Sequence, residues 1–328
     1  MRKKTPRRTW ARWALVALAL VVAATLFAGV TRAWGDEDGL KAAVDPTVVR
    51  LATTTSVNDT GLLKDLVEPT YEARFPGIDL QWVSVGSGAA LALGRDGNAD
   101  VVVAHAPAAE KELLAQGHFT MRLPFSYNYF TVVGRRNAKK VDPARVKTAT
   151  SAAQAFKRIA AWGKTLPEGR VAFVSRGDNS GTNMKEMELW KKAGVTIDPA
   201  NAPKWYAATG SGMLNTLMYA AEKKAYTLTD VATWLKNKKS ANLSPPLYRL
   251  LTTRKDLKNQ YSVLLVNQTD HPDVNTTGAE FLAEWLVSRN GQRAIANYKM
   301  LGVTMFYPNS YAVSSSVLPD APAPSPAP

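Results

Sequence analysis

The chain has 328 residues, 46% of them apolar, which is enough for two domains of ordinary size with real cores. It contains no cysteine and three histidines, which excludes disulfides, thiolate metal sites, cysteine nucleophiles and lipidation at an N-terminal cysteine, and leaves little material for a metalloenzyme. The formal charge is +14, but seven of the 41 Lys and Arg fall in the first 33 residues with no acid among them, so half of the excess belongs to that segment; the remainder is a solvated, modestly basic surface that favours anions at long range.

Residues 1–33 read as an export signal. A basic stretch from Arg2 to Arg12 precedes an apolar run from Trp13 to Val30, and Thr31-Arg32-Ala33 places small residues at alternate positions, as a signal peptidase requires. Arg7-Arg8-Thr9-Trp10 resembles a twin-arginine signal, with Sec export as the alternative. The apolar run is long enough to span a bilayer, so an uncleaved anchor competes with a cleaved signal. The acidic stretch Asp36-Glu-Asp-Gly39 follows where a stop-transfer segment would be basic, which favours cleavage. Residues 34–47 form a linker.

From Val48 onward, strand-like and helix-like runs alternate, the pattern of α/β domains with mostly parallel sheets. Leu51-Ala52 leads into Thr53-Thr54-Thr55-Ser56, after which Leu62, Leu63, Leu66 and Val67 recur at helical spacing. Ile78 to Val85 is a strand, Gly86-Ser87-Gly88 a turn, Ala89 to Leu93 a helix, and Asp100 to Ala104 a buried strand. Phe130 to Val133 is the strand that leaves the first half. A helix from Ser151 to Trp162, with Ala155, Phe156 and Ile159 on one side, precedes the strand Val171 to Val174. That strand runs into Ser175-Arg176-Gly177-Asp178-Asn179-Ser180-Gly181-Thr182, and Met184, Met187 and Trp190 follow. Gly210-Ser211-Gly212 opens a helix expected to carry Met213, Leu214, Leu217, Met218 and Ala221 on one face. Tyr226 to Leu228 is a short strand, and Thr229-Asp230 caps a helix holding Val231, Trp234 and Leu235. Residues 236–258 are basic, lack a period and contain Pro245-Pro246, so they are expected to be a surface excursion; Lys236-Asn-Lys-Lys239 is too short and too poor in aromatic neighbours for a nucleic-acid groove. Tyr261 to Val266 is a return strand, followed by two helices with Phe281, Leu282, Trp285 and Leu286, then Ala294, Ile295 and Tyr298.

The chemistry concentrates in the two hydroxyl-rich strand-to-helix turns. The first N–H groups of a helix lack intrahelical partners and carry the positive end of its dipole, so two such turns with clustered hydroxyls can cage an oxyanion. Plain N-capping by Ser and Thr is the competing reading. Gly86-Ser87-Gly88 is a third turn of this kind, where glycine lets backbone N–H groups come close to a ligand.

These residues carry a resemblance to a known family. From about Val49 to Ser310 the chain resembles the tungstate-binding proteins of bacterial ABC transporters, in Leu51-Ala-Thr-Thr-Thr-Ser56 with Gly61-Leu-Leu63, Val85-Gly-Ser-Gly88, Asp100 with His105-Ala-Pro107 and Glu110, and Ser175-Arg-Gly-Asp178 with Ser180-Gly-Thr182. Lys185-Glu186, Leu189-Trp190, Tyr226-Thr-Leu-Thr-Asp230, His271-Pro272 and Phe306-Tyr-Pro-Asn309 follow in the same order. The resemblance implies an α/β, two-lobed periplasmic-binding-protein fold of the second type, each lobe a mostly parallel sheet flanked by helices with the ligand cleft between them. The expected layout is lobe 1 in residues 48–126, lobe 2 in 127–270 and C-terminal helices returning to lobe 1 in 271–312, and the composition of 313–328, ending Ala-Pro-Ala-Pro-Ser-Pro-Ala-Pro, reads as a disordered proline-rich tail. The resemblance further implies capture of tungstate, with molybdate next, by Thr54, Thr55, Ser56 and Ser87 of one lobe and Arg176, Ser180, Gly181 and Thr182 of the other. The metal would be bound only as its oxyanion, with no cofactor, no metal cation and no nucleic acid. The partners implied are an inner-membrane ABC permease and its cytoplasmic ATPase, and the chain itself would be a periplasmic monomer. Three positions depart from the family pattern: Tyr129 stands where Asp is usual, Asn183 where His is usual and Ala89 where Gln is usual. They bear on anion selectivity more than on fold.

Two other functions compete. A phosphate-binding protein shares the Arg-x-Asp-x-Ser-Gly-Thr pattern. Gly177-Asp-Asn-Ser-Gly181 resembles the nucleophile loop of chymotrypsin-like proteases, with His105 or His118 as a conceivable base, although the extra Asn179 and the strand–helix alternation disagree with that fold. The Arg176-Gly-Asp178 tripeptide as an adhesion motif is weaker still, because it falls in the expected cleft.

Overall fold

The computed structural model describes residues 47–136, 142–239, 243–252, 256–300 and 302–310. The export segment 1–33, the linker up to residue 46 and the 313–328 tail lie outside the described residues.

The first lobe begins with β1 (Thr47–Thr54), α1 (Thr55–Asp59), a π-helical turn at Leu63–Val67, α2 (Glu68–Arg74), β2 (Ile78–Val85), α3 (Ser87–Arg95), β3 (Val101–Ala104) and α4 (Pro107–Ala115). Because helical crossovers separate them, β2, β1 and β3 pair in parallel. Every residue of β3 is buried, as a strand with helices over both faces must be. β4 (Phe119–Gly134) and β9 (Lys258–Val266) then add antiparallel strands, and with the short β12 (Tyr307–Pro308) at the edge the order across the sheet is β12-β4-β9-β3-β1-β2. The sheet is therefore mixed in direction, because β9 re-enters from the other lobe and meets β3 head to tail.

The second lobe holds α5 (Ala152–Gly163), β5 (Phe173–Ser175), α6 (Gly181–Lys192), β6 (Tyr206–Ala208), α7 (Met213–Lys223), β7 (Thr227–Asp230), α8 (Val231–Asn237) and β8 (Tyr248–Arg249). Its core is aromatic, with Phe156, Phe173, Trp190 and Trp205 packed together and the Phe156 and Trp190 rings 4.5 Å apart. The chain ends with α9 (Thr276–Val287), α10 (Arg289–Asn297), the small β10 (Lys299–Met300) and β11 (Val303–Thr304) hairpin, and β12 (Tyr307–Pro308) on the edge of the first sheet.

β4 joins the lobes. From Phe119 to Tyr129 it pairs with β9, and from Phe130 to Val133 with β7. Phe130 N–H donates to Leu257 O at 2.8 Å, so the outgoing and returning chains touch where they cross.

Two expectations change. On α7, Met213, Leu217 and Ala221 are buried, but Leu214 and Met218 are 36% exposed each. They lie one residue, or about 100°, further round the helix than the buried stripe. Residues 236–258 are not merely a surface excursion: Leu243, Leu247, Leu250, Leu251 and Leu257 are all buried, and β8 pairs with β4. Irregular backbone follows no period, so its anchoring leucines are invisible to a pattern search.

Candidate functional site

Four chain turns meet between the lobes. β1 ends at Thr54, whose side chain makes no capping bond although it sits at the N-cap of α1; simple capping therefore does not account for the first hydroxyl turn. Thr53, Thr54 and Ser56 are buried, and Thr55 is half-buried at the cleft. At the second turn, Gly86 precedes α3, whose first residue, Ser87, is fully buried and accepts weakly from His105 N at 3.5 Å. The third turn carries His105. It is held by Glu110, which accepts from Ala106 N at 2.6 Å and from Arg122 Nε at 2.8 Å. Burial raises the Glu110 pKa, opposed by Arg122.

The fourth turn is the Ser175–Thr182 loop. Gly177 and Asn179 adopt φ of +61° and +55°, a left-handed conformation that curls the loop back on itself. A Cβ at Gly177 would also lie 2.7 Å from that of Ala208. The curl brings Asp178 against its own neighbours: Oδ2 accepts from Arg176 Nη2 at 2.6 Å and Nε at 3.1 Å, and Oδ1 accepts from Ser180 N at 3.2 Å. Ser180 does cap α6, accepting from Asn183 N at 3.3 Å. Beneath the loop, Glu186 is buried and accepts from Ser175 Oγ, from Trp190 Nε1 at 2.9 Å and from Tyr206 OH at 2.8 Å. Burial raises its pKa despite these donors. Asn183 spans the loop, accepting from Asn179 N at 3.1 Å and donating to Ser175 Oγ at 3.2 Å.

The lobes meet over these turns. Arg176 Nη1 donates to Thr55 Oγ1 at 3.3 Å. Gly86 lies so close to the head of α6 that an added Cβ would be 3.3 Å from Ser180 Cα, and one on Gly88 would be 2.9 Å from Asn179 Nδ2. Gly181 faces the His105 ring, whose Cε1 would be 2.6 Å from a Cβ there. The N-termini of α3 and α6, two positive dipole ends, thus abut beside the Arg176 guanidinium. Thr54, Thr55, Ser56, Ser87, Arg176, Ser180, Gly181 and Thr182 all come to this junction, and every one except Thr55 is buried.

Hydrogen-bond direction separates the hydroxyls. The oxygens of Thr55, Ser87 and Ser180 each accept from a fixed N–H, of Arg176, His105 and Asn183 respectively, which leaves each hydroxyl proton free to donate. Ser56 instead turns inward, 3.1 Å from Thr54 Oγ1, 3.2 Å from Tyr261 OH and 3.4 Å from His105 Nε2. His105 Nδ1 lies 2.8 Å from Asn259 Oδ1. Burial, with help from the Arg176 charge and against the Asn259 bond, holds the imidazole pKa down to about 4, so the ring is neutral at physiological pH.

Tyr261, Asn259, Asn128 and Asp230 were not singled out from the sequence as site residues. Only the strand pairing brings them together, and the one local signal was Asp230 as a helix cap. Of the departures, Asn183 is a loop brace, Tyr129 packs against Tyr127 and Tyr307, and Ala89 is exposed on α3. The hydrolase pairing is not formed. Ser180 caps α6, and the His105 ring nitrogens face Ser56 and Asn259. Ser56–His105–Asn259 has the order of nucleophile, base and orienter, but Ser56 is 2% exposed and its hydroxyl also faces Thr54 and Tyr261. Among the described residues no His, Asp or Glu cluster could hold a metal cation.

A family model described as a PBP superfamily domain matches residues 41–290. The chain is 41% identical over 261 residues to a putative ABC transporter anion-binding protein of Haloferax volcanii, covering 79% of this chain and 71% of that protein. It is 37% identical over 264 residues to the tungstate-binding protein TupA of Peptoclostridium acidaminophilum, covering 79% and 85%. Among solved structures, the tungstate-binding protein TupA from Desulfovibrio alaskensis G20 matches with a TM-score of 0.65 and 40% identity, over 80% of this chain and 99% of that one.

Proposed function

Since the chain belongs to the PBP superfamily and is 37–41% identical, over 79% of its length, to tungstate- and anion-binding proteins of ABC transporters, we propose that it is an extracytoplasmic solute-binding protein that captures tungstate and delivers it to an ABC permease. The observation that carries this reading is the direction of the free hydrogen-bonding groups in the cleft. The hydroxyls of Thr55, Ser87 and Ser180 each accept from an N–H and keep their protons to donate outward, and the Arg176 guanidinium and the first N–H groups of α3 and α6, Gly181 and Thr182 included, are donors alone. The one carboxylate on the loop, Asp178, has both oxygens engaged by Arg176 and Ser180 N. Such a cage suits a tetrahedral dianion that carries no proton. Phosphate keeps a proton near neutral pH and needs an acceptor for it, which Asp178 does not present. Thr54 completes the site with Ser56 buried behind it, and molybdate, with the same shape and charge, is the next ligand.

The metal enters as an oxyanion and needs no cofactor. The protein acts as a monomer in the periplasm with a membrane permease and cytoplasmic ATPase as partners, after loss of residues 1–33. Intact mass of the exported chain checks that processing. Calorimetric titration with tungstate, molybdate, sulfate and phosphate at pH 7.5 tests the ligand: tungstate should bind at least about a hundredfold more tightly than phosphate, about 2.7 kcal/mol. Equal or tighter phosphate binding, abolished by Asp178→Asn, would show a phosphate carrier instead.

A further inference from the structure

A chain of buried polar side chains leads away from the cage, and its direction is fixed at the far end. Asp230, 1% exposed, caps α8 by accepting from Thr233 N at 2.9 Å. A carboxylate can only accept, so the Asn128 amide 3.3 Å away must turn its Nδ2 toward it. That leaves Asn128 Oδ1 facing Asn259, its direct partner across the β4–β9 pair, whose Nδ2 donates to it at 2.8 Å. Asn259 therefore presents Oδ1 to His105, and the His105 proton must sit on Nδ1. Nε2 of the neutral ring is then a lone pair that can only accept, and Ser56 Oγ is its partner. Tyr261 OH, which accepts from Asn259 Nδ2 at 2.9 Å, has its own proton left for Ser56. Each step follows from the one before, because each group has a single remaining way to satisfy its neighbour.

We propose that the Asp230 carboxylate, acting through the Asn128 and Asn259 amides, sets the tautomer of His105 and turns the Ser56 hydroxyl inward, so that Asp230, Asn128, Asn259 and His105 are positioning residues and Ser56 supports the anion cage from behind instead of donating to the ligand. The members lie on β4, β9, the end of β3 and the end of β7, strands that pair directly at the crossing between lobes. The relay thus does not need the cleft to be shut. It keeps a titratable ring beside the anion from offering a variable proton, and it holds the first hydroxyl turn in one orientation before any ligand arrives.

The test reads the ring itself. Long-range proton–nitrogen correlation of the protein, whose three histidines are told apart by substituting His118 or His271, should show His105 with a protonated, pyrrole-type Nδ1 and a pyridine-type Nε2. Asp230→Asn keeps an effective helix cap but lets residue 230 face Asn128 with either end of its amide, so a mixture of His105 tautomers should appear. If that variant does not fold, Asn128→Leu interrupts the relay with the Asp230 cap intact and should give the same mixture. A pyridine-type Nδ1 in the unsubstituted protein, or one unchanged tautomer in a folded variant, overturns the proposal. The binding arm alone rests on the tungstate reading. Ser56→Ala should change the tungstate Kd by less than about threefold while Thr55→Ala raises it at least about tenfold, the loss expected for a hydrogen bond to a charged ligand; a tenfold rise for Ser56→Ala would put Ser56 on the ligand and overturn the assignment. Failure of the unsubstituted protein to bind tungstate would overturn the functional reading, and the ring correlations would still decide the relay.

Discussion

Gly181 is a glycine for the sake of the other lobe. It opens α6 at an ordinary helical position, where alanine is intrinsically better by about 0.8–1 kcal/mol, yet a Cβ there would press on the buried His105 ring. The two effects act on different states. With the lobes apart the clash is absent and Gly181→Ala should leave the melting temperature unchanged or raised, whereas tungstate affinity should fall at least about tenfold because the lobes cannot close. Melting and titration of the one variant check both; full affinity would show that the contact between lobes is not needed for binding. His105 has a second signature. Its folded pKa of about 4 lies below the value of about 6.5 in an unfolded chain, so the unfolded state takes the proton first. This stabilisation is complete above about pH 6.5 and is lost as the pH falls toward 4, by up to about 3 kcal/mol. Denaturant midpoints at pH 7 and 4.5 should differ by less in His105→Gln than in the unsubstituted protein, and an unchanged difference would remove His105 from the acid response. At this scale the sequence was partly legible. Thr55, Ser87, Arg176 and Ser180 announce themselves because strand-to-helix turns put their chemistry in short contiguous runs. The inward role of Ser56 did not, because it depends on Tyr261 and Asn259, some two hundred residues away, and on a carboxylate that looks like nothing more than a helix cap.

Elements were read best where apolar period and length agree. Ala155, Phe156 and Ile159 mark α5 and are each fully buried, and the valines of β3 name a buried strand from their run alone. Leu62, Leu63, Leu66 and Val67 recur at helical spacing, yet Leu63–Val67 winds as a π turn behind the short α1, because that spacing fits either winding. What the pattern cannot express is how an element is tied to its neighbours. Asp100, immediately before β3, accepts from Arg50 N at 2.6 Å, from Arg50 Nη2 at 2.6 Å and from Asn275 N at 2.9 Å, so one carboxylate joins β1, β3 and the start of α9. Asp100→Ala leaves two backbone N–H groups without acceptors and should cost about 2–4 kcal/mol of folding stability. Chemical denaturation measures it, and a loss below about 0.5 kcal/mol, the level of an ordinary surface substitution, would show the staple to be dispensable.

For the molecule as a whole, the closed arrangement sets two helix N-termini and the Asp178-paired Arg176 guanidinium side by side, a set of donors that an anion between them would satisfy. Ligand should therefore favour the shut form: small-angle scattering should show the protein contract on adding tungstate, and saturation at a thousandfold excess over Kd should stabilise it by about 4 kcal/mol. No change in either would mean that the lobes do not respond to the ion. The hydrogen bond from Phe130 N to Leu257 O has a consequence of another kind. It places the start and the end of the 130–257 segment side by side, so the second lobe is one continuous insertion between two strands of the first, with its two junctions within bonding distance. A segment joined in this way behaves as a cassette: its ends need no rearrangement to be connected to another host, and adjacent termini are the condition under which insertions and exchanges are tolerated. Moving it between relatives would transplant the Arg176 half of the proposed cage as a unit, so that anion preference could be recombined lobe by lobe without redesigning either core.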